Sequence, residues 1–134
     1  MQPTVRQMMD PVTHAVSTTL PIDDAIDLLI DKGVTGMPVL GDNGEVLGVL
    51  SEEHCLRLVA MGDQQFDTPR GTVGDYFERD VPQVGPEVDI YYVAGMFLRD
   101  LRHRRFPVVD KGKLIGVITR KDVVRALRNE LRHT

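Results

Sequence analysis

Apolar residues recur along the chain with two spacings, and the spacing separates helices from strands. A helical period predicts one helix that Pro21 opens and Gly33 ends, and a second helix over residues 90–102. Short apolar runs bounded by Gly and Asp predict strands at 37–40, 46–50, 106–109 and 114–118, and further helices from 52 and 120. The positions expected to line the apolar faces of three of these helices are Ile22, Ala25, Ile26, Leu29 and Ile30; Ile90, Val93, Ala94, Phe97, Leu98 and Leu101; and Val123, Val124, Ala126, Leu127 and Leu131.

The two halves of the chain carry the same succession of elements. Gly48 and Gly116 occupy matching places in two apolar runs that lie 68 positions apart. Each half reads β-α-β-β-α and is too small to bury both faces of its own sheet. The sequence therefore predicts an α+β (α/β) fold in which two repeats pack sheet to sheet about a pseudo-twofold axis. The repeats are expected at 1–62 and 71–134, with a polar, turn-rich linker at 63–70.

The chemistry of the repeat is concentrated where its glycine-containing strand runs into a helix. Thr119 stands at the expected N-cap of the last helix, and Asp122 falls in its first turn. A hydroxyl and free amides at a helix N-terminus form a ready site for an anion. Gly116, inside the strand, predicts the close approach of a ligand or of another backbone. Ser51 and His54 hold the equivalent corner of the first repeat.

This doubled motif, an apolar strand with glycine followed by Ser/Thr-x-x-Asp, resembles the tandem cystathionine-β-synthase (CBS) domain pair, or Bateman module. The resemblance covers nearly the whole chain. It implies a non-catalytic regulatory module that binds AMP, ADP, ATP or S-adenosylmethionine in the cleft between its two repeats. It also implies a homodimer and an output through a change of shape or assembly, read by a regulated protein that the sequence does not identify.

The resemblance also assigns residues. By position, Asp122 is similar to the family's ribose ligand, and a carboxylate suits that role because it accepts from both hydroxyls of a diol. Thr119 and the neighbouring amides are expected to face the phosphate, together with the basic side chains of Arg104, Arg120 and Lys121. Arg104 is the first choice among the three.

The remaining assignments concern the adenine base and the first repeat. The resemblance places the adenine against four residues of the first repeat: His14, Val16, Val34 and Thr35. In the corner of that repeat Ser51 is kept, but His54 replaces the acidic residue. Because a neutral imidazole accepts only one hydrogen bond, this second site is expected to be degenerate.

Composition and charge narrow the class of protein. The net charge of −4 argues against a general nucleic-acid binder, yet it hides a split of −8 over residues 1–69 and +4 over residues 70–134. The single cysteine, Cys55, excludes an internal disulfide. Because no apolar run is long enough for a membrane span and no signal peptide is evident, a cytoplasmic protein without membrane contact is expected.

Other functions remain open at this stage. A structural or protein-interaction module with decayed nucleotide sites is the main alternative. A nucleic-acid-binding module is a weaker one, since Tyr91 and Tyr92 are the only stacking aromatics in view. An enzyme is expected least, because neither phosphate-loop motif is present and no catalytic cofactor is called for. The four histidines show no metal-ligand spacing, so no metal site is expected.

Overall fold

The structure, a computed structural model, describes residues 2–11, 14–61 and 70–132. The chain forms two compact units. Unit 1 joins Met1–Thr13 to Val81–Thr134, and unit 2 is His14–Asp80. The boundaries of these units differ from those of the sequence repeats. The first segment of each repeat belongs to the unit that contains most of the other repeat. Apart from Arg70, the predicted linker lies outside the described residues.

Seven strands and five helices make up the described chain. In order, they are α1 (Val5–Met8), β1 (Asp10–Pro11), β2 (Val16–Ser17), α2 (Ile22–Lys32), β3 (Gly36–Leu40), β4 (Val46–Ser51), α3 (Glu52–Met61), β5 (Glu78–Arg79), α4 (Ile90–Arg99), β6 (Arg105–Asp110), β7 (Lys113–Thr119) and α5 (Arg120–Arg132). A short 3-10 turn, Val73–Asp75, precedes β5. The mixed α and β fold with two sheets, which the sequence predicts, is confirmed.

The two sheets follow one plan. Unit 2 holds the order β2-β3-β4-β5, in which β2 runs parallel to β3 and the other pairs are antiparallel. Unit 1 holds the order β1-β7-β6 with antiparallel pairs. There a parallel bridge between Val84 and Val108 stands where β2 pairs with β3 in unit 2. In each predicted repeat, the two strands between its long helices form an antiparallel pair, β3 with β4 and β6 with β7.

One edge strand of each sheet, β1 in unit 1 and β5 in unit 2, comes from the other sequence repeat. In unit 1, Asp10 lies opposite Val117 and Pro11 opposite Gly116. In unit 2, β5 pairs with β4 in the same register, which places Gly48 opposite Arg79. A Cβ on Gly116 would come within 2.8 Å of the carbonyl oxygen of Asp10. The sulfur of Met9 would lie nearer still, at 2.6 Å, so the close approach predicted at this glycine is made by the backbone of Asp10 and the side chain of Met9.

Each unit has an apolar core built from the predicted helix faces and strands. The core of unit 2 consists of Val16, Ile22, Ala25, Leu29, Met37, Val39, Leu50, Val73 and Phe77. In unit 1 the rings of Phe97 and Phe106 stack with centroids 4.3 Å apart. Gly33 ends α2 in the left-handed region with φ 65°, as the sequence predicts for a C-cap.

The predicted apolar faces are wrong at several positions. Helix α4 ends at Arg99, three residues early, because the carboxylate of Asp100 accepts the backbone N–H and guanidinium of Arg102 and closes a turn. Leu98 and Leu101, expected inside, are 75% and 67% exposed, and Ile30 is 71% exposed. Along α5, Ala126 is buried, whereas three apolar residues expected to line the helix are exposed: Val124, Leu127 and Leu131.

None of the described helices combines the length and apolar character that a bilayer crossing needs.

Candidate functional site

The corner between β7 and α5 is closed by a reciprocal pair of hydrogen bonds. The hydroxyl oxygen of Thr119 accepts from the backbone N–H of Asp122 at 3.2 Å. Oδ2 of Asp122 accepts from the backbone N–H of Thr119 at 2.9 Å. This is a capping box, which satisfies donors at the N-terminus of the helix. The predicted positions of Thr119 as N-cap and Asp122 in the first turn are confirmed.

The carboxylate of Asp122 is buried and has a second protein partner. The residue is only 2% exposed, and its Oδ1 accepts from Nη2 of Arg125 at 3.0 Å. An ionised carboxylate offers about four acceptor positions, two on each oxygen. The bonds from Thr119 and Arg125 take one position on each oxygen. One acceptor position therefore remains on Oδ1 and one on Oδ2.

A second carboxylate, Asp10 of β1, lies close enough to sense this charge. The pKa of Asp10 is raised, chiefly by burial and then by the charge of Asp122, while the nearby Arg125 lowers it. The guanidinium of Arg125 also donates to the carbonyl oxygen of Met8 at 3.2 Å. The corner in unit 1 thus combines two carboxylates and one guanidinium.

The equivalent corner in unit 2 is built from different chemistry. Nδ1 of His54 accepts from the backbone N–H of Ser51 at 3.1 Å and lies 2.9 Å from the Ser51 hydroxyl. His54 therefore takes the capping place that Asp122 holds in the other repeat. Because Nδ1 accepts that N–H, the proton of the neutral ring sits on Nε2. No acceptor is then left on the imidazole for a sugar hydroxyl.

The protonation of His54 fits this role. Burial is the largest cause that lowers the pKa of His54, and Arg57 lowers it further. Glu78 and Glu53 act in the opposite direction, as does the backbone contact with Ser51. The neutral ring that the cap requires is therefore the favoured form.

The basic residues predicted to meet a phosphate have separate environments in unit 1. Arg104 and Lys121 are exposed. Arg120 is occupied with its own chain, because its Nε donates to the carbonyl oxygen of His103 at 3.1 Å and its Nη2 to that of Leu101. The backbone N–H of Arg120 also donates to the carbonyl of Arg104. In this conformation Arg120 holds the loop that carries Arg104, and its role at a phosphate stays a prediction.

The four residues predicted to meet adenine all lie in unit 2. Val16, in β2, belongs to the buried core, and Val34 packs against that core. Thr35 is exposed, and its carbonyl oxygen accepts the first N–H of α3. His14 is half-buried. Val16 is buried in this conformation, and the adenine role of all four residues stays a prediction.

Sequence reasoning missed Arg125, Asp10 and Met8. The signal that could have found them is the repeat offset, since Asp10 matches Glu78 and Arg125 matches Arg57 at 68 positions. Both pairs preserve the type of charge.

Comparison with known proteins gives one family. The CBS domain model matches twice, over residues 5–61 and 73–129. A curated relative, the chloroplastic CBS domain-containing protein CBSX2 of Arabidopsis thaliana, is 34% identical over 90% of this chain. The chain spans 61% of that relative, and 43% of a Methanocaldococcus jannaschii protein named MJ1225.

Solved structures agree on the fold. The crystal structure of CBSX2 in complex with AMP matches with a TM-score of 0.82 and 36% identity, covering 96% of this chain and 98% of that one. The CBS domain pair of protein MJ0100, in complex with 5-methylthioadenosine and S-adenosyl-L-methionine, matches with a TM-score of 0.83. It is 17% identical, covers 97% of this chain and 99% of that one, and so bears on the fold alone.

Proposed function

The chain belongs to the CBS domain family, and from that premise we propose that it is a regulatory module that binds an adenosine-containing ligand. The ligand class comprises AMP, ADP, ATP and S-adenosylmethionine, which share the ribose that the corner of unit 1 is suited to hold. AMP is the first ligand to test, because the relative CBSX2, 36% identical, has a structure in complex with AMP.

The observation that carries this proposal is the acceptor capacity of Asp122. Its two oxygens each retain one acceptor position after the bonds from Thr119 and Arg125 are made. A ribose presents two neighbouring hydroxyl donors, which is the same number. Hydrogen bonds to a charged group are the stronger kind, each contributing about 1.5–3 kcal/mol. The pair of bonds would account for recognition of a ribose.

Phosphate recognition is assigned to the basic residues of the same unit. Arg104 is exposed and is held by Arg120 on the loop just before β6. The amides at the N-terminus of α5 add a favourable field for an anion. We assign the phosphate first to Arg104, with Lys121 as the second candidate.

The proposed stoichiometry is one adenosine ligand per chain. The cap at His54 uses the only acceptor of its ring, so the corner in unit 2 lacks the two positions that a diol needs. The same observation supports the loss of a nucleotide site in the first repeat only. The intact corner at Asp122 argues against decay of both.

Output is proposed to pass through a homodimer and a partner protein that the module regulates. Apolar residues are left exposed at matching places of the two repeats, Ile30 with Leu98 and Leu56 with Val124. A contiguous apolar patch is typical of a surface that another chain covers, and we propose that the exposed side chains of each unit contribute to one. A ligand shifts such an assembly only by binding one arrangement more tightly than another.

The first prediction tests ligand binding at Asp122. A bound ligand raises apparent stability, so AMP is expected to raise the Tm of the wild-type chain, and an oligonucleotide is not. Asp122→Asn removes the charge and is expected to weaken AMP binding at least about tenfold, as loss of a charge-assisted bond predicts. Calorimetry measures both the affinity and the number of sites.

His54→Asn is the matched control, because it alters the equivalent position of the other repeat. It is expected to leave AMP affinity and the single site unchanged. Two equal sites per chain, or full binding in Asp122→Asn, would contradict the assignment of the site to unit 1. A wild-type chain that responds to no adenosine ligand would support the interaction-module alternative.

A further inference from the structure

One nitrogen atom links the ribose corner to the N-terminal segment of the chain. Nη2 of Arg125 donates both to Oδ1 of Asp122, at 3.0 Å, and to the carbonyl oxygen of Met8, at 3.2 Å. Met8 is the last residue of α1, and it lies 117 positions before Arg125 in the sequence. All three residues belong to unit 1.

The neighbouring helical position explains why Arg125 turns toward Asp122. In the first repeat the equivalent Arg57 forms an i,i+4 salt bridge with Glu53 at 2.6 Å, on the exposed face of α3. The place of Glu53 is taken in the second repeat by Lys121, which repels a guanidinium. Arg125 is therefore left to pair with Asp122, three residues before it on the same helix.

Arg125 also offsets a repulsion at the corner. Asp10 and Asp122 are like charges that disfavour each other, and Arg125 favours the charged form of Asp10. Without a guanidinium between them, the two carboxylates would repel each other and be driven to turn apart. An Asp122 carboxylate that turns away no longer offers two acceptor positions in a fixed orientation.

The N-terminal segment at residues 2–11 is an integral part of unit 1. The backbone N–H groups of Val5 and Arg6 donate to the carbonyls of Val88 and Pro86, both at 2.8 Å. The first N–H of α4, that of Ile90, donates to the carbonyl of Pro3. Strand β1 pairs with β7, and Val5 is fully buried. A change in how this segment is seated therefore reaches both the sheet and α4.

We propose that Arg125 is a positioning residue that orients Asp122 for the ribose and couples ligand binding to the seating of the segment at residues 2–11. The inference rests on the proposed function, because it concerns the same ribose site. A ligand that bonds to Asp122 favours one fixed orientation of the carboxylate, and this carboxylate holds Arg125 on Met8. By reciprocity, a well-seated segment raises the affinity for the ligand by the same factor.

The experiment combines hydrogen exchange with a comparison of two ligands. In the wild-type chain, saturating AMP is expected to slow the exchange of the amides of Val5, Arg6 and Met9. The second ligand is 2′-deoxy-AMP, which lacks one hydroxyl of the diol. The wild-type chain is expected to prefer AMP over it by about tenfold or more, as loss of a charge-assisted bond predicts.

Arg125→Leu removes both bonds of the guanidinium. In this variant AMP is expected to leave the exchange of those amides unchanged, and the preference for AMP over 2′-deoxy-AMP is expected to shrink. A purely structural defect would weaken both ligands equally and leave the preference intact. Arg125→Lys keeps the charge and is expected to restore part of the preference. Arg57→Leu, the repeat-equivalent change, is expected to behave as the wild type.

Each result has one reading. AMP binding without slower exchange of the segment in the wild-type chain overturns the coupling, even if Arg125→Leu does not fold. An unchanged preference in a folded Arg125→Leu chain overturns the positioning role. Both results leave the proposed function standing. A wild-type chain that binds neither nucleotide overturns the inference together with the proposed function.

Discussion

At the scale of single residues, equivalent positions of the two repeats hold different side chains, Asp122 and His54, that both cap a helix. Asp122 and His54 both accept the N–H of the residue that precedes their helix. The carboxylate has acceptor capacity left after that bond, and the imidazole has none. The cap is therefore conserved between the repeats of this chain while the capacity to bind a diol is present in one.

The cap at His54 predicts a dependence of stability on pH. The folded-state pKa of His54 lies below its ordinary value of 6.5, chiefly because of burial. The unfolded chain then binds the proton more readily, so the contribution of His54 is complete above pH 6.5 and is lost as the pH falls below it. Denaturant unfolding at pH 7.5 and pH 5 is expected to show a smaller loss of stability in His54→Gln than in the wild type.

The comparison of the wild type with His54→Gln isolates the contribution of His54, because the other titratable groups are present in both proteins. Glu78 of β5 and Glu53 and Arg57 of α3, whose charges act on His54, are present in both the wild type and His54→Gln. Asp10, whose pKa is raised, contributes with the opposite sign around its ordinary value of 3.8, and this contribution cancels in the difference. Equal losses of stability in the two chains would show that His54 does not titrate as the cap requires.

At the scale of elements, the two-residue strands β1 and β5 each pair with a strand of the other repeat, and each pairing requires a glycine at the point of contact. A Cβ on Gly48 would overlap the carbonyl oxygen of Glu78, which is backbone of β5 and has little room to move. Gly48→Ala is therefore expected to destabilise the chain by about 1–3 kcal/mol, the usual cost of overpacking. Urea unfolding measures the difference.

Gly95→Ala is the matched control for this change. Gly95 lies inside α4, where the nearest atom to an added Cβ is Nη2 of Arg99 at 3.8 Å. Since alanine favours a helix over glycine, this variant is expected to gain up to about 1 kcal/mol. Stability lost at Gly95 and kept at Gly48 would contradict the observed strand pairing.

The elements also show how far the sequence carries the fold. Helix and strand positions followed from apolar spacing, and the capping corner at Thr119 followed from residue type. The exchange of β1 and β5 could not be predicted, because a two-residue strand carries no period and its partner is distant in sequence. The end of α4 was missed because the turn depends on Asp100, whose carboxylate was not recognised as a helix terminator.

The residues of the candidate site also fall into those that the sequence predicts and those that it does not. Thr119 and Asp122 are the first and last residues of one four-residue motif, and local chemistry reveals them. The contact of Arg125 with Met8 joins positions 117 apart, so no local pattern points to it. Glu53 pairs with Arg57 in the first repeat, whereas Lys121 stands at the equivalent position in the second. This difference explains the orientation of Arg125 only when the two helices are compared.

At the scale of the whole molecule, the exposed apolar residues set the expectation for assembly. Ile30 and Leu98 lie 68 positions apart, as do Leu56 and Val124, and all four are exposed. Side chains that a monomer does not bury, repeated at the same places, favour a surface used by a second copy of the chain. Such a surface is also one through which a ligand could change assembly.

The last prediction is that the chain is a homodimer at micromolar concentration and that these residues hold it together. Light scattering is expected to return about twice the monomer mass of 15.0 kDa. The double variant Leu98→Glu with Val124→Glu places charges on exposed positions, so it is expected to return the monomer mass with its circular dichroism unchanged. Lys113→Glu, an exposed change at the start of β7, is the control and is expected to remain dimeric. A wild-type mass of 15.0 kDa at every concentration, or a double variant that stays dimeric, would show that these side chains have another purpose.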